Sequence, residues 1–304
     1  MTVTSLPSLV GSVGRTEMPI ARLIGAYANE IRFESLRMLR SPGFVIPFLL
    51  LPVPVYLFFG VLLAAPAIAK NPGIGNYLFS GFSAFAIIGP ALFGVGCSLA
   101  LERDAGFLRL KRALPAPGGA YLAAKMAVAV IFAALAMGSM LLAALVAGSV
   151  SLSAGQLAII AGVMIVGALP FAAIGLFIGA YASGSAAPAY ANMLFLPMLW
   201  LSGLFIPLPK FLEPWVVIWP AFHVNQVALG FAGVSQFSFM APGISAAVLA
   251  GVTVVFGGLA IRRLARHGYG RAPQIQTVAR GVMRPAYAMA FITLGLGDKD
   301  ATFE

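Results

Sequence analysis

The stretch MAVAVIFAALAMGSMLLAALVAGSVSLSAGQLAIIAGVMIVGALPFAAIGLFIGAYASGSAAPAYANMLFLPMLWLSGLFIPLP, residues 126–209, runs for 84 residues without one Asp, Glu, Lys or Arg. A charge at the centre of a bilayer-spanning helix costs about 2.5–3.5 kcal/mol on insertion scales, so a run this long belongs in lipid. The same absence recurs at 44–69, 71–101 and 214–261. Charge gathers instead in the first 43 residues, in a short loop at 102–125, and after residue 261.

Composition agrees. The chain is 61% hydrophobic and only 9% charged, far below the roughly 25% charged residues of a soluble domain. A net charge of +10 would suggest nucleic acid in a soluble protein. Here the basic residues flank apolar runs, so anionic lipid headgroups are their partners and no nucleic acid is expected. The lone Cys97 rules out an intrachain disulfide and reads as a small packing residue. The first 43 residues are too polar to form a cleavable signal.

A spanning helix needs about 20 apolar residues to cross a hydrocarbon core of roughly 30 Å. Six segments qualify: 44–66, 77–101, 121–148, 157–181, 188–208 and 239–261. Pro47, Pro52 and Pro54 predict a kinked first span. Ser183-Gly184-Ser185-Ala186-Ala187 predicts a tight turn between the fourth and fifth. Six crossings place both termini on one side. With that side cytoplasmic, 17 of the 19 Lys and Arg lie inside, leaving Lys70 and Lys210 outside. The expected fold is an all-α integral membrane protein with both termini in the cytoplasm of a prokaryotic cell, in the inner membrane. Its expected domains are an N-terminal segment 1–43, a six-helix transmembrane domain 44–261 and a basic cytoplasmic tail 262–304.

Residues 20–40 show helical periodicity. Ile20, Leu23, Ile24, Tyr27, Ile31 and Met38 share one arc, while Arg22, Arg32, Arg37 and Arg40 spread opposite. That is an interfacial helix, read either as a topology anchor or as a surface that also touches a cytoplasmic partner. Between the fifth and sixth spans, Pro209, Pro214 and Pro220 cut 209–238 into external re-entrant half-helices, with Trp215 and Trp219 at interface depth. These form a structural cap or a gate, whose residues would be Pro207, Pro214, Trp215, Pro220, His223 and Gln226. Phe79, Phe82 and Phe85, with Asn192, Met193 and Trp200, are core or lipid contacts, or else an apolar pathway wall. Gly175 and Gly179 permit close helix contact, more often within one bundle than across a dimer.

Reaction chemistry is missing. The six expected spans are read as holding no acid, base or metal-binding group facing a common cavity, which argues against an intramembrane enzyme. No His, Cys, Asp or Glu cluster has metal spacing, and no Gly-x-x-x-x-Gly-Lys-Ser/Thr loop binds nucleotide. No buried carboxylate suggests a proton or sodium relay. Any uphill work must be done on another chain.

The dense cluster after the second span, Glu102-Arg103-Asp104-Ala105-Gly106-Phe107-Leu108-Arg109-Leu110-Lys111-Arg112 and on to Pro115-Ala116-Pro117, is a mechanical handle between two spans. Here the chain resembles the permease family of type-2 ABC exporters. Glu102, Arg103, Asp104, Gly106, Leu108, Pro115 and Pro117 match a Glu-Arg-acidic-x-Gly-x-Leu pattern ending in Pro-x-Pro. Leu201 to Pro207, followed by Pro220, His223, Gln226 and Gly230, is similar to the drug-efflux and antibiotic-resistance branch. The resemblance covers residues 20–261. It implies a half-transporter that forms a homodimer, or pairs with a homologous permease, and binds two copies of a separate ABC ATPase. ATP and Mg would be bound on that partner, with no cofactor on this chain. Residues 102–117, with Arg109 and Leu110 among them, would form the coupling helix. Arg109 stands where an acidic residue is frequent, and the tail is longer than typical. The implied function is ATP-driven export of a lipophilic or amphiphilic substrate: a drug, antibiotic or lipid-like molecule. A polysaccharide-exporting permease, or a non-transporting scaffold or immunity factor, would share the topology.

Overall fold

The computed structural model describes residues 20–108, 120–206 and 210–267. Among them there is no strand: the protein is all-helical. The helices are α1 (Ile20–Leu39), α2 (Pro42–Leu62), α3 (Gly73–Asp104), α4 (Ala120–Ala147), α5 (Ala154–Tyr181), α6 (Ala187–Leu201), α7 (Pro220–Phe231) and α8 (Pro242–His267). Single-turn pieces cover Ala65–Lys70, Lys210–Leu212, Glu213–Val216 and Ser235–Phe237.

Five helices, α2, α3, α4, α5 and α8, are long and apolar enough to cross a membrane. The protein is therefore a multi-pass membrane protein. The expected fifth span, 188–208, is a helix of only 15 residues, α6, with Ser202–Ile206 continuing as turn and bends. Pro197 sits inside α6. At about 1.5 Å per residue α6 covers some three-quarters of a hydrocarbon core.

The prolines of α2 do not break it. Helical geometry continues as alternating α turns and wider π turns, Ile46–Leu50 and Tyr56–Leu62. Leu51 N–H donates to the Ile46 carbonyl and Leu63 N–H to Phe58, five residues back. The wider turn accommodates the ring and the missing N–H, each of which would disrupt a regular turn. Pro90 produces the same device in α3, at Pro90–Gly94.

α3 is the most buried span and forms the axis of the bundle. Its Gly96 lies backbone to backbone against α5: a Cβ there would meet the Gly175 carbonyl at 2.8 Å, and one on Gly179 would meet the Gly96 carbonyl at 2.6 Å. The Gly175/Gly179 pair is thus an intrachain seam. Gly81 admits Leu204, whose carbonyl would lie 1.8 Å from an added Cβ. Ser153 caps α5 with a reciprocal Ser153/Gln156 box, and the Gln156 amide donates to the Ala232 carbonyl at the end of α7.

α7 is no surface flap. Pro220 sits at its first turn, and residues 220–229 are all buried, packed on α8, on the first half of α5 and on α3. α8 runs past residue 261 to His267, so Arg262, Arg263 and Arg266 of the expected tail lie on a helix, Arg263 over the Tyr181 ring at 5.1 Å. The rest of the tail lies outside the described residues.

Candidate functional site

At the end of the bundle carrying α1, five polar side chains from three helices converge. Glu34 and Arg37 come from α1, Glu102 from the last turn of α3, and Tyr121 and Lys125 from the first turns of α4. Lys125 is 1% exposed. Its ammonium donates to a Glu34 carboxylate oxygen, to a Glu102 oxygen at 2.9 Å and to the Ser98 hydroxyl at 2.8 Å. All three N–H groups are used. Arg37 pairs with Glu34 at 2.7 Å and also with Glu102. The Tyr121 hydroxyl donates to the other Glu102 oxygen at 2.5 Å.

Two carboxylates balance two cations, so the set is neutral. Burial of the Arg37 guanidinium works against its charge, but Glu102 and Glu34 outweigh it and hold its pKa above the ordinary value. A buried ion pair contributes little net stability by itself, yet removing one member leaves an uncompensated buried charge. The cluster therefore locks α1, α3 and α4 together or not at all.

The sequence reading that the spans hold no ionisable group is corrected here. Lys125 stands within α4 and Glu102 within α3, and α1 covers both. The charges of 102–125 were legible; that α1 lies across them was not.

Immediately beyond, Arg103 makes a second clasp. Its guanidinium donates to the carbonyls of Gly179 at 3.0 Å, Ala180 at 2.6 Å and Ala182 at 2.6 Å, the unsatisfied C-terminal end of α5. Asp104 accepts the Gly184 N–H at 2.6 Å and pairs with Arg103 at 2.9 Å. The Ser183–Ala187 turn between α5 and α6 is thus bonded to the end of α3. Gly106 then takes φ +80°, where a side chain would be strained, and Leu108 is buried. Arg109, Leu110, Pro115 and Pro117 lie outside the described residues.

Of the interfacial arginines, Arg22, Arg32 and Arg40 are exposed and Arg37 is half-exposed in the cluster. Ile20 and Ile24 of the apolar arc are exposed too, while Glu34, Ser35 and Met38 face inward. α1 therefore docks by a mixed face, with Met38 packed on Val128 and Phe132 beside the charged cluster, and leaves the Ile20–Ile24 end of its apolar arc exposed.

At the opposite end, Pro220, His223 and Gln226 are brought together, while Pro214 and Trp215 are exposed and Pro207 lies outside the described residues. His223 bridges the Val217 carbonyl, 2.8 Å from Nε2, and the Ser245 hydroxyl, 3.2 Å from Nδ1. Burial draws its pKa below the ordinary value, against the opposing Val217 hydrogen bond. The Gln226 carbonyl accepts from Phe239 N–H at 3.0 Å and its amide donates to the Phe237 carbonyl at 3.2 Å. Ser80 donates to Asn225 at 2.5 Å, and Tyr77 to the Gly203 carbonyl.

The six expected wall residues do not share one cavity. Phe79 and Phe82 are buried in the core around Tyr56, and Phe85 meets Phe195 and Phe205. Asn192, Met193 and Trp200 are exposed along α6. Among the described residues, no group of three His, Cys, Asp or Glu could hold a metal ion.

A family model described as ABC-2 type transporter matches residues 30–239, from within α1 to the 3-10 turn after α7. A curated relative, "Putative transport permease YvfS" of Bacillus subtilis (strain 168), is 25% identical over 198 residues, covering 64% of this chain and 80% of the relative.

Proposed function

Given that the chain belongs to the ABC-2 type transporter family, we propose that this membrane permease drives export of a lipophilic or amphiphilic substrate, powered by a separate ATPase seated on residues 102–117. The observation that carries the reading is the pair of clasps on either side of Glu102 and Arg103. A push on the loop that follows α3 would pass to α1 and α4 through the Glu34–Lys125–Glu102 cluster. The same push would reach α5 and α6 through the Arg103 fork on the end of α5 and the Asp104 bond to Gly184.

In this reading Glu102, Arg103 and Asp104 transmit force inside the permease. The basic residues Arg109, Lys111 and Arg112 then meet the ATPase, which supplies ATP and Mg. The Ser202–Ile206 extension completes a sixth crossing after α6, both termini are cytoplasmic, and the membrane is the prokaryotic inner membrane. A second protomer, of the same or a homologous chain, covers the exposed apolar faces of α2 and α6, including Leu57, Phe58, Met193 and Trp200. Two permeases would engage two ATPase copies. α7, held by His223 and Gln226, is the closed outer gate. Uncharged walls favour an amphiphile over a small inorganic ion.

The test is purification in mild detergent with neighbouring gene products co-expressed. An ATP-hydrolysing subunit should co-purify, and Arg109→Glu with Lys111→Glu and Arg112→Glu should release it while the permease keeps its thermal midpoint. No bound ATPase under any nucleotide condition would refute the proposal.

A further inference from the structure

α5 is two helices end to end, Ala154–Val166 and Ala168–Tyr181, joined at Gly167 and followed by Pro170. The second half packs along α8, whereas the first half packs on α4 and α7. α8 continues as one unbroken helix past the joint, while the first half of α5 turns to α4 and α7, so the two helices part there. α7 floors the gap without filling it.

The result is a cavity of about 620 Å³ open to the side of the bundle. Gly162, Val166 and Pro170 of α5, Phe231 of α7, and Ala250 and Val254 of α8 are among its lining. On α8 the lining runs from Ala246 to Val254, about 12 Å along the axis at 1.5 Å per residue. The lining hydroxyl, Thr253, donates its proton back to the Leu249 carbonyl at 2.8 Å and so offers a guest no donor.

Water has no partners in such a space, and an empty cavity forfeits the dispersion contacts of every wall atom. Both α5 and α8 are spanning helices, so the wedge opens onto hydrocarbon. A second recess, about 330 Å³, adjoins it at the α7 end, lined by Gly230, Gly233 and Ser238 to Pro242. Gly230 there precedes Phe231 of the wedge, and Pro242 sits one turn above Ala246. An apolar slot thus lies one turn of α8 from a more polar rim on the same α7–α8 seam, a spacing that suits the two parts of an amphiphile. No charged side chain lines either part.

We propose that the wedge between α5, α7 and α8 is a lipid-binding site, holding one acyl chain of a bilayer phospholipid with its headgroup at the 230–242 rim. The site belongs to a single protomer and needs neither the ATPase nor a direction of transport.

The full chain, reconstituted in phosphatidylcholine vesicles carrying a phospholipid with a photoreactive acyl chain, tests this by mapping the cross-linked peptides. Adducts should concentrate on residues 162–170 and 246–254 over the exposed α4 face at Leu135 and Leu142. Gly162 lines the wedge and an added Cβ there meets nothing within 4 Å, so Gly162→Phe starts its side chain in open space. Wedge adducts should then fall roughly tenfold, equivalent to about 1.4 kcal/mol, with α4 adducts and the thermal midpoint unchanged. Ala250→Phe, from the other wall, should do the same. Equal labelling of the wedge and the α4 face, or wedge labelling that survives both variants, would overturn the site. So would a Val254→Cys disulfide between copies replacing the lipid adducts, which would assign the wedge to a second protomer.

Discussion

Lys125 carries a full charge at 1% exposure, and its stability rests on three acceptors supplied by two other helices. Lys125→Ala leaves Glu34 and Glu102 buried and short of a counter-charge, so it should cost about 3–5 kcal/mol, read as a lowered denaturation midpoint in detergent. Lys125→Met with Glu102→Gln removes one charge of each sign, keeps the Glu34–Arg37 pair, and should cost clearly less. His223 gives a pH dependence. Its pKa in the fold lies below the unfolded value of about 6.5, so the chain binds more protons unfolded. Stability is complete above that unfolded value and is lost as pH falls through the folded one. The thermal midpoint should therefore drop between pH 7.5 and pH 5.5, and His223→Gln should shrink that drop. At this scale the sequence announced the residues and not their partners. Glu102, Arg103 and His223 stood out as rare polar groups in an apolar chain, but Lys125 looked like the flank of a span.

Elements are joined here by backbone proximity and by forks onto helix ends. Gly179→Ala places a methyl 2.6 Å from the Gly96 carbonyl, backbone against backbone, so α3 and α5 must part. A loss of about 1–3 kcal/mol and a lower yield of folded protein are expected. Arg103→Lys keeps the charge but cannot reach three carbonyls at once. If the fork transmits motion, the ATPase complex of Arg103→Lys should hydrolyse ATP while transport into vesicles falls, with the thermal midpoint little changed. Helix identity was legible from charge-free runs. Proline placement marked where α2 would leave regular helical geometry, and the structure accommodates the rings in π turns. Composition locates a proline; only the neighbouring turns decide how its missing hydrogen bond is accommodated.

For the molecule as a whole, six crossings put α1 and the end of α8 on one side, whereas five would separate them. With Cys97 replaced by Ala, Arg22→Cys and Arg266→Cys should both resist an impermeant maleimide in intact cells, while Lys70→Cys and Gln236→Cys react. Opposite behaviour of the first two would mean that α6 does not cross. The sequence alone determined that this is a helical, multi-pass membrane protein with most of its charge gathered before residue 43, at 102–125 and after residue 261. Transfer of each side chain into hydrocarbon is a local property that sums along the chain. Only the tertiary structure decided that α1 closes over Glu102 and Lys125, that Arg103 grips the end of α5, that α7 is buried, and that α5 parts from α8. Those depend on which helix faces which, and uniformly apolar helices carry little of that information in their hydropathy. It resides in a few glycines, prolines and paired charges whose partners lie 20 to 150 residues away.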